Sequence, residues 1–188
     1  MDMLQRLTKQ LSDPDTLSKL GKSIHATPDQ VHRVATKAMP TLLSALQRNA
    51  GTAEGASSLA KALEQHQDDG VEDIDGFLEN VDTKDGAKML THILGGGEKK
   101  VEKLMAKQTG LDATQISGLL AQFAPLLIGM LGKAKKEEGV DESGVSGMLG
   151  NLVSQGQGSG LLDMTGNLLG SDSSGGIGSL LGGLFKKK

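Results

Sequence analysis

Two stretches of the chain share one pattern, and this pattern constrains the fold more than any other feature of the sequence. Residues 27–48 read TPDQVHRVATKAMPTLLSALQR, and residues 112–133 read DATQISGLLAQFAPLLIGMLGK. The two stretches align without a gap, with Pro40 opposite Pro125. A proline at the same depth in two similar apolar stretches rarely arises by chance. We therefore interpret the pair as an internal repeat.

Both stretches show the periodicity of a helix. Apolar residues recur at spacings of three and four, which predicts a helix with a buried face. Asp112 and Gln115 form a capping-box pattern at the start of the second stretch. Each proline removes one backbone hydrogen bond and crowds the carbonyl four residues earlier, which predicts a kink. The predicted buried faces are Val31, Val34, Leu42 and Leu46 in the first stretch, and Ile116, Leu119, Leu120, Phe123, Leu127, Met130 and Leu131 in the second.

The surrounding sequence extends the repeat and determines the predicted fold class. Weaker similarity carries the two copies over about residues 17–67 and 101–152. We predict an all-α protein, a compact multihelical bundle built from two related helical repeats with proline-kinked central helices, plus a Gly-rich C-terminal tail. The most apolar run, in residues 112–133, is shorter than the roughly 20 residues of a membrane span. Further helices are predicted over residues 1–12, 14–25, 53–67, 72–80, 83–94 and 98–108, with Leu59, Ala62 and Leu63 facing inward in one, and Ala87, Leu90 and Ile93 or Leu94 in another.

The composition changes toward the C-terminus. Residues 139–188 contain 14 of the 27 glycines, and leucine pairs persist at 161–162, 168–169 and 180–181. Each glycine costs a helix roughly 1 kcal/mol relative to alanine. We predict a helical domain over residues 1–155 and a Gly/Ser/Leu-rich flexible tail over residues 156–188. Its leucines need an apolar surface to contact.

Composition also bounds the compartment and the partners. The chain has no cysteine, which excludes a disulfide framework and a thiol nucleophile, and residues 1–7 do not resemble a secretory signal. We predict a cytoplasmic protein. Residues 51–94 contain ten acidic side chains against three lysines and no arginine, and the chain has three phenylalanines and no tyrosine or tryptophan. A nucleic-acid channel needs a basic surface and aromatic platforms, so we expect no nucleic-acid partner.

The motifs that carry chemistry are incomplete. The four histidines lack a metal-binding spacing within one helix, and no serine stands in GxSxG or SxxK with credible partners. VEDIDGFLENVD, residues 71–82, resembles a calcium loop but has Val71 at its first position and Asp82 instead of Glu at its last. Gly95–Gly97 is interpreted as a helix end. We predict no catalytic, cofactor-binding or metal-binding residues and no cofactor; whether the acidic region 68–85 binds a cation is left open.

The end of the chain supplies the candidate contact residues. They are a leucine-rich turn followed by three lysines: Leu180, Leu181, Leu184, Phe185, Lys186, Lys187 and Lys188. One hypothesis is a non-enzymatic protein that acts through protein contacts, either with an unknown protein or by self-association through the tail leucines. The alternative is a peripheral membrane or envelope-associated protein, since basic residues beside apolar ones attract anionic lipid. A third, an enzyme with a helical active site, requires a pocket with clustered titratable groups.

Residues 85–133 carry a family resemblance. Asp-Gly followed by His-Ile-Leu-Gly, the Thr-Gly before the capping box, and Leu-Leu followed by Ala-Pro-Leu resemble the YidB-like bacterial family of helical proteins of unknown function. With the preceding helices, the resemblance covers about residues 1–155. It implies a compact multihelical fold and no established enzymatic activity. Relatives often carry an acidic Asp-Gly-rich stretch near the C-terminus; here Asp163 and Asp172 are isolated, so a metal site is not carried over.

Overall fold

A computed structural model of the chain describes residue 9 and residues 11–156, with side chains described up to residue 154. Residues 11–156 contain no β-strand, and the all-α prediction is confirmed. The protein is a compact multihelical bundle. Its described helices are α1 (Pro14–Ile24), α2 (Pro28–Asn49), α3 (Ala53–His66), α4 (Ile74–Asn80), α5 (Thr83–Leu94), α6 (Glu98–Thr109), α7 (Ala113–Glu138) and α8 (Val145–Gly156).

Most of the described helices begin where short polar side chains cap them, whereas α6 follows Gly97, which has no side chain to do so. Asp13 accepts hydrogen bonds from the backbone N–H groups of Asp15 and Thr16 at the start of α1. The two helices with a proline in their interior, α2 and α7, are called the proline-containing helices, and both begin with a complete capping box in which the third helical residue is a glutamine. These contacts satisfy first-turn N–H groups that have no partner within the helix. The predicted starts of both helices are therefore confirmed.

The predicted apolar faces of α2 and α7 are buried. Every position named on the two faces has less than a tenth of its surface exposed. Around these faces the other helices supply one continuous core. Helix α7 continues beyond Lys133 to Glu138, and its length and composition would suffice to cross a membrane, so the prediction that the run is too short is wrong. In this bundle, 83% of its most apolar window is buried, and a core helix of a soluble protein passes the same test.

The helices that pack around α2 correspond to those that pack around α7. Helix α2 packs against the helix before it, α1, and against α8. Helix α7 packs against the helix before it, α6, and against α3. Each proline-containing helix thus contacts the third helix of the other predicted repeat, while α5, which lies between the repeats, packs mainly on α7. The arrangement agrees with the internal repeat, which stays a prediction, as do the bends at Pro40 and Pro125.

Two glycines allow helices to approach α7 closely. A Cβ atom on Gly86 would overlap the carbonyl oxygen of Ala121 and would lie 3.2 Å from Cδ of Pro125. A Cβ atom on Gly132 would overlap the carbonyl oxygen of Leu63. Glycine is required where a backbone approaches another this closely. Because Gly86 occupies the contact with α7, Ala87 is exposed, and its predicted place on the buried face of α5 is wrong.

Two predicted segments fall largely or wholly outside the described residues. Of the helix predicted over residues 1–12, only positions 9, 11 and 12 are described, and Leu11 is buried in the core. Residues 157–188, which hold most of the predicted tail, lie outside the described part. The boundary between a helical domain and a tail stays a prediction.

Candidate functional site

A groove runs between α3 and α5, which both pack on α7. The cavity in it measures about 740 Å³. Its apolar lining comes from the two walls, from the end of α2 and from one residue of α7: Leu46, Leu59, Ala62, Met89, Ile93 and Ile128. Ala62 and Met89 are only partly buried, whereas Leu46, Leu59, Ile93 and Ile128 belong to the core. The groove is therefore a place where the core lies close to the surface. We call it the α3–α5 groove.

Asn49 joins three helices at one end of the α3–α5 groove. Its side-chain amide donates to the carbonyl oxygens of His92, at 3.1 Å, and Ile93, at 3.0 Å, in the last turn of α5. The carbonyl of Asn49 in turn lies against Gly55 in the first turn of α3, where a Cβ atom would overlap it. Helix α3 is capped beside this point by the hydroxyl of Thr52, which accepts from the Gly55 N–H at 3.1 Å. The walls are thus held at a defined separation at this end.

The rim of the α3–α5 groove carries basic side chains, and two of them come from the most acidic part of the sequence. Arg48, Lys88 and His92 are exposed along it, with Asp85 as the acidic member. Lys88 and Asp85 stand 4.0 Å apart across one helical turn, and the lysine side chain is 77% exposed. An exposed pair of this kind is worth less than about 1 kcal/mol, so Lys88 remains available to an external anion. The groove combines an apolar floor with a mainly cationic rim.

A second, acidic depression adjoins this groove, with which it shares His66, Asp85 and Met89. It measures about 560 Å³. Nδ1 of His66 lies 2.6 Å from Oδ2 of Asp69. Asp73 caps α4 by accepting from the Gly76 N–H, and Asp82 caps α5. Three of the carboxylates in this depression therefore already have structural partners.

A third depression, of about 640 Å³, lies between α7 and the acidic segment 71–75. Lys133 forms ion pairs there with Glu72 and with Glu137. At its edge, Asp75 binds Nζ of Lys19 at 3.0 Å, and this hydrogen bond raises the pKa of Lys19. The charges of this surface are organised as ion pairs that link α1 and α7 to the segment between α3 and α5.

The structure assigns local roles to the residues considered for metal chemistry. In the calcium-loop segment, Asp73 and Asp82 are helix caps and Asp75 is an ion-pair partner. His25 ends α1 in a left-handed conformation, with φ of 57°. Within residues 11–156 no group of three or more His, Asp or Glu side chains is placed to hold a metal ion. The absence of a metal or cofactor stays a prediction.

None of the predicted contact residues lies in the described part of the chain. Leu180, Leu181, Leu184, Phe185, Lys186, Lys187 and Lys188 all lie outside the described residues. The α3–α5 groove was not found from sequence, because its lining comes from four helices. One signal for it exists: Ala62, predicted to face inward, is half-buried in the groove wall.

Comparison with known proteins yields a family and no individual relative. A family model described as "Bacterial protein of unknown function (DUF937)" matches residues 5–134. No curated protein matches the chain. No solved structure matches it either. The family match confirms the resemblance to a bacterial family of unknown function, and the YidB-like designation stays a prediction.

Proposed function

This chain belongs to the DUF937 family of bacterial proteins of unknown function. We propose that it is a non-enzymatic, cytoplasmic protein that acts through protein–protein contacts. The observation that carries the proposal is the α3–α5 groove. Its apolar floor and charged rim are the features of a surface that receives an amphipathic segment of a partner.

The charged groups in the described depressions favour contact over catalysis. Asp73 and Asp82 cap helices, and His66 pairs with Asp69. General acid–base or nucleophilic catalysis needs such groups to converge on a substrate position with perturbed pKa values. The hydrogen bond from Lys19 to Asp75 raises the pKa of that lysine, and the turn before α8 lowers the pKa of Asp141. Both shifts belong to structural contacts.

The partner in this proposal is a second copy of the chain, recruited through the leucines of residues 157–188. Three leucine pairs there are set among glycines and serines, and apolar side chains gain free energy by leaving water. Light scattering on the full chain and on a chain lacking residues 157–188 tests this. We expect a concentration-dependent molar mass for the full chain and a monomer mass after the deletion. An unchanged mass rules out self-association through residues 157–188.

A full-length control separates the leucines from chain length. Replacing Leu161, Leu162, Leu168 and Leu169 by serine keeps the number of residues and the charge. The same drop in molar mass is expected. If the deletion lowers the mass and the serine variant does not, the leucines of residues 161–169 do not form the contact.

The alternative function is a peripheral membrane or envelope-associated protein that uses Leu180–Lys188. The three terminal lysines beside Leu184 and Phe185 favour it, at about 1 kcal/mol per basic residue near an anionic surface. Flotation with phosphatidylserine-containing vesicles, with and without the last nine residues, tests it. Vesicle binding that the truncation abolishes supports membrane contact, and equal flotation of both chains rules it out.

A further inference from the structure

Among the leucine-containing segments after α8, residues 161–169 match the α3–α5 groove best. They read LLDMTGNLL, and Leu161, Met164 and Leu168 follow the spacing by which an amphipathic helix places anchors in an apolar groove. Asp163 falls outside this stripe, on the flank of such a helix. The segment thus offers an apolar stripe to the floor of the groove and a carboxylate to its rim.

Charge complementarity selects this segment over the end of the chain. Residues 157–172 contain Asp163 and Asp172 and no lysine or arginine, whereas Leu180–Leu184 is followed by three lysines. The rim of the α3–α5 groove exposes Arg48 and Lys88. Attraction between opposite charges guides a segment into register, and like charges oppose it. The lysine-rich end is therefore disfavoured on this rim.

The helix that precedes the segment in the chain packs on two helices that line the groove. Helix α8 packs on α2 and also contacts α3, which forms a wall of the groove. Gly150 of α8 lies beside the side-chain amide of Gln47, the neighbour of Arg48. Four residues, 157–160, separate α8 from Leu161.

We infer that residues 161–169 of one copy of the chain bind in the α3–α5 groove of a second copy, with Asp163 and Asp172 facing the Arg48–Lys88 rim. The inference rests on the proposed self-association and adds to it the receiving surface and the inserted segment. The contact is heterologous, because the two copies contribute different surfaces.

Charge reversal in the full-length chain tests the contact. One variant carries Arg48→Glu and Lys88→Glu, and a second carries Asp163→Lys and Asp172→Lys. Each alone opposes like charges at the contact, so its dissociation constant for self-association should rise roughly tenfold. An equimolar mixture pairs the acidic groove of one variant with the basic segment of the other. The molar mass should then return toward that of the wild type.

A matched control uses the same two helices of the groove. Arg33→Glu and Lys84→Glu make the same charge change at exposed positions of α2 and α5 outside the groove lining. This variant should associate like the wild type. Far-ultraviolet circular dichroism on each variant confirms that the helices are intact.

The outcomes separate the two proposals. If the leucine-to-serine variant is monomeric but both charge-reversed chains associate like the wild type, the groove is not the receiving surface and self-association stands. If each reversed chain is weakened and their mixture stays monomeric, the segment does not enter the groove of a second copy. A wild-type chain that is monomeric at all concentrations overturns both proposals.

Discussion

The two proline-containing helices, α2 and α7, have matched sequences but different surroundings. Helix α7 is covered on nearly every side, whereas α2 keeps one exposed face. Four matched positions account for the difference. Where α7 has Gly118, Ala121, Gly129 and Gly132, α2 has the larger or more polar Arg33, Thr36, Ser44 and Gln47.

The small residues of α7 each meet another element. Gly118 lies against Ile24 of α1, Gly129 against Val71, and Gly132 against the backbone of Leu63. A larger side chain at these positions would push the neighbouring element away. The same proline-helix pattern therefore gives a helix covered on nearly all sides when one face carries small residues, and a helix with an exposed side when that face is long and polar.

The carbonyl that each proline leaves without its helical donor also differs. Pro40 leaves the carbonyl of Thr36 without that donor, and Thr36 is an exposed residue, so water can solvate the oxygen. Pro125 leaves the carbonyl of Ala121 in the core, where Gly86 of α5 lies directly against it. We interpret the close packing of α5 on α7 as dependent on the contact between Gly86 and the carbonyl of Ala121.

The largest test of the comparison is Gly86→Ala. The added Cβ would overlap the Ala121 carbonyl, which is backbone and cannot move aside without shifting α5. We expect the free energy of unfolding to fall by about 3 kcal/mol, measured by urea denaturation. Gly147→Ala is the matched control, since its Cβ meets nothing within 4 Å. It should raise stability by about 0.5–1 kcal/mol, and equal effects of the two substitutions would refute the close-approach argument.

Replacing each proline by alanine should give the second largest difference in stability between changes in α2 and in α7. Pro125→Ala removes a buried ring that lies near Gly86 and leaves unfilled space beside α5. A loss of about 2 kcal/mol is expected. Pro40→Ala restores a backbone donor on the exposed side of α2 and should leave stability unchanged or raise it by up to about 1 kcal/mol. Thermal unfolding of both variants gives the comparison, and losses of similar size would show that the two prolines are equivalent.

Replacing the matched glutamines of the two capping boxes should give a smaller difference in stability. Gln115 caps its own helix and also donates through Nε2 to the carbonyl oxygens of Ile24, at 3.0 Å, and His25. Gln30 serves its own capping box. Gln115→Ala should cost about 1.5 kcal/mol and Gln30→Ala about 0.5 kcal/mol. If chemical denaturation shows a larger loss of stability for Gln30→Ala than for Gln115→Ala, the hydrogen bonds from Gln115 to the end of α1 do not stabilise the fold.

The smallest effect concerns the starts of α3 and α8. Gly55 and Gly144 are matched in the repeat, and their N–H groups donate to Thr52 and Asp141 respectively. The Ser143 hydroxyl and the Gly144 N–H lower the pKa of Asp141. Its carboxylate therefore stabilises the fold above the unfolded pKa, and this contribution is lost as pH falls through the folded pKa.

Two variants check this pH dependence. The stability difference between wild type and Asp141→Asn should be present at neutral pH and should shrink on acidification below 3.8, the ordinary pKa of the group. Thr52→Ala, the non-titrating counterpart, should show a difference that does not change with pH. A constant difference for Asp141→Asn would contradict the assignment.

Much of the secondary structure could be predicted because it depends on local interactions. Caps such as Asp13, Thr27 and Asp112 act within one helical turn, and the spacing of apolar residues identifies a buried face without knowledge of what covers it. The α3–α5 groove could not be predicted in this way. Its lining residues come from α2, α3, α5 and α7, and Asn49, which joins three of these helices, has a side chain with no local signature.

The sequence by itself determined that this chain is helical, where its helices begin, and which faces of α2 and α7 are apolar, because these properties follow from neighbours within a few residues. Only the tertiary structure decided that α3 packs on α7 and α8 on α2, and that Gly86 rather than Ala87 faces the core of the bundle. These outcomes depend on how closely two backbones can approach, and that distance is set by pairs of residues far apart in the chain.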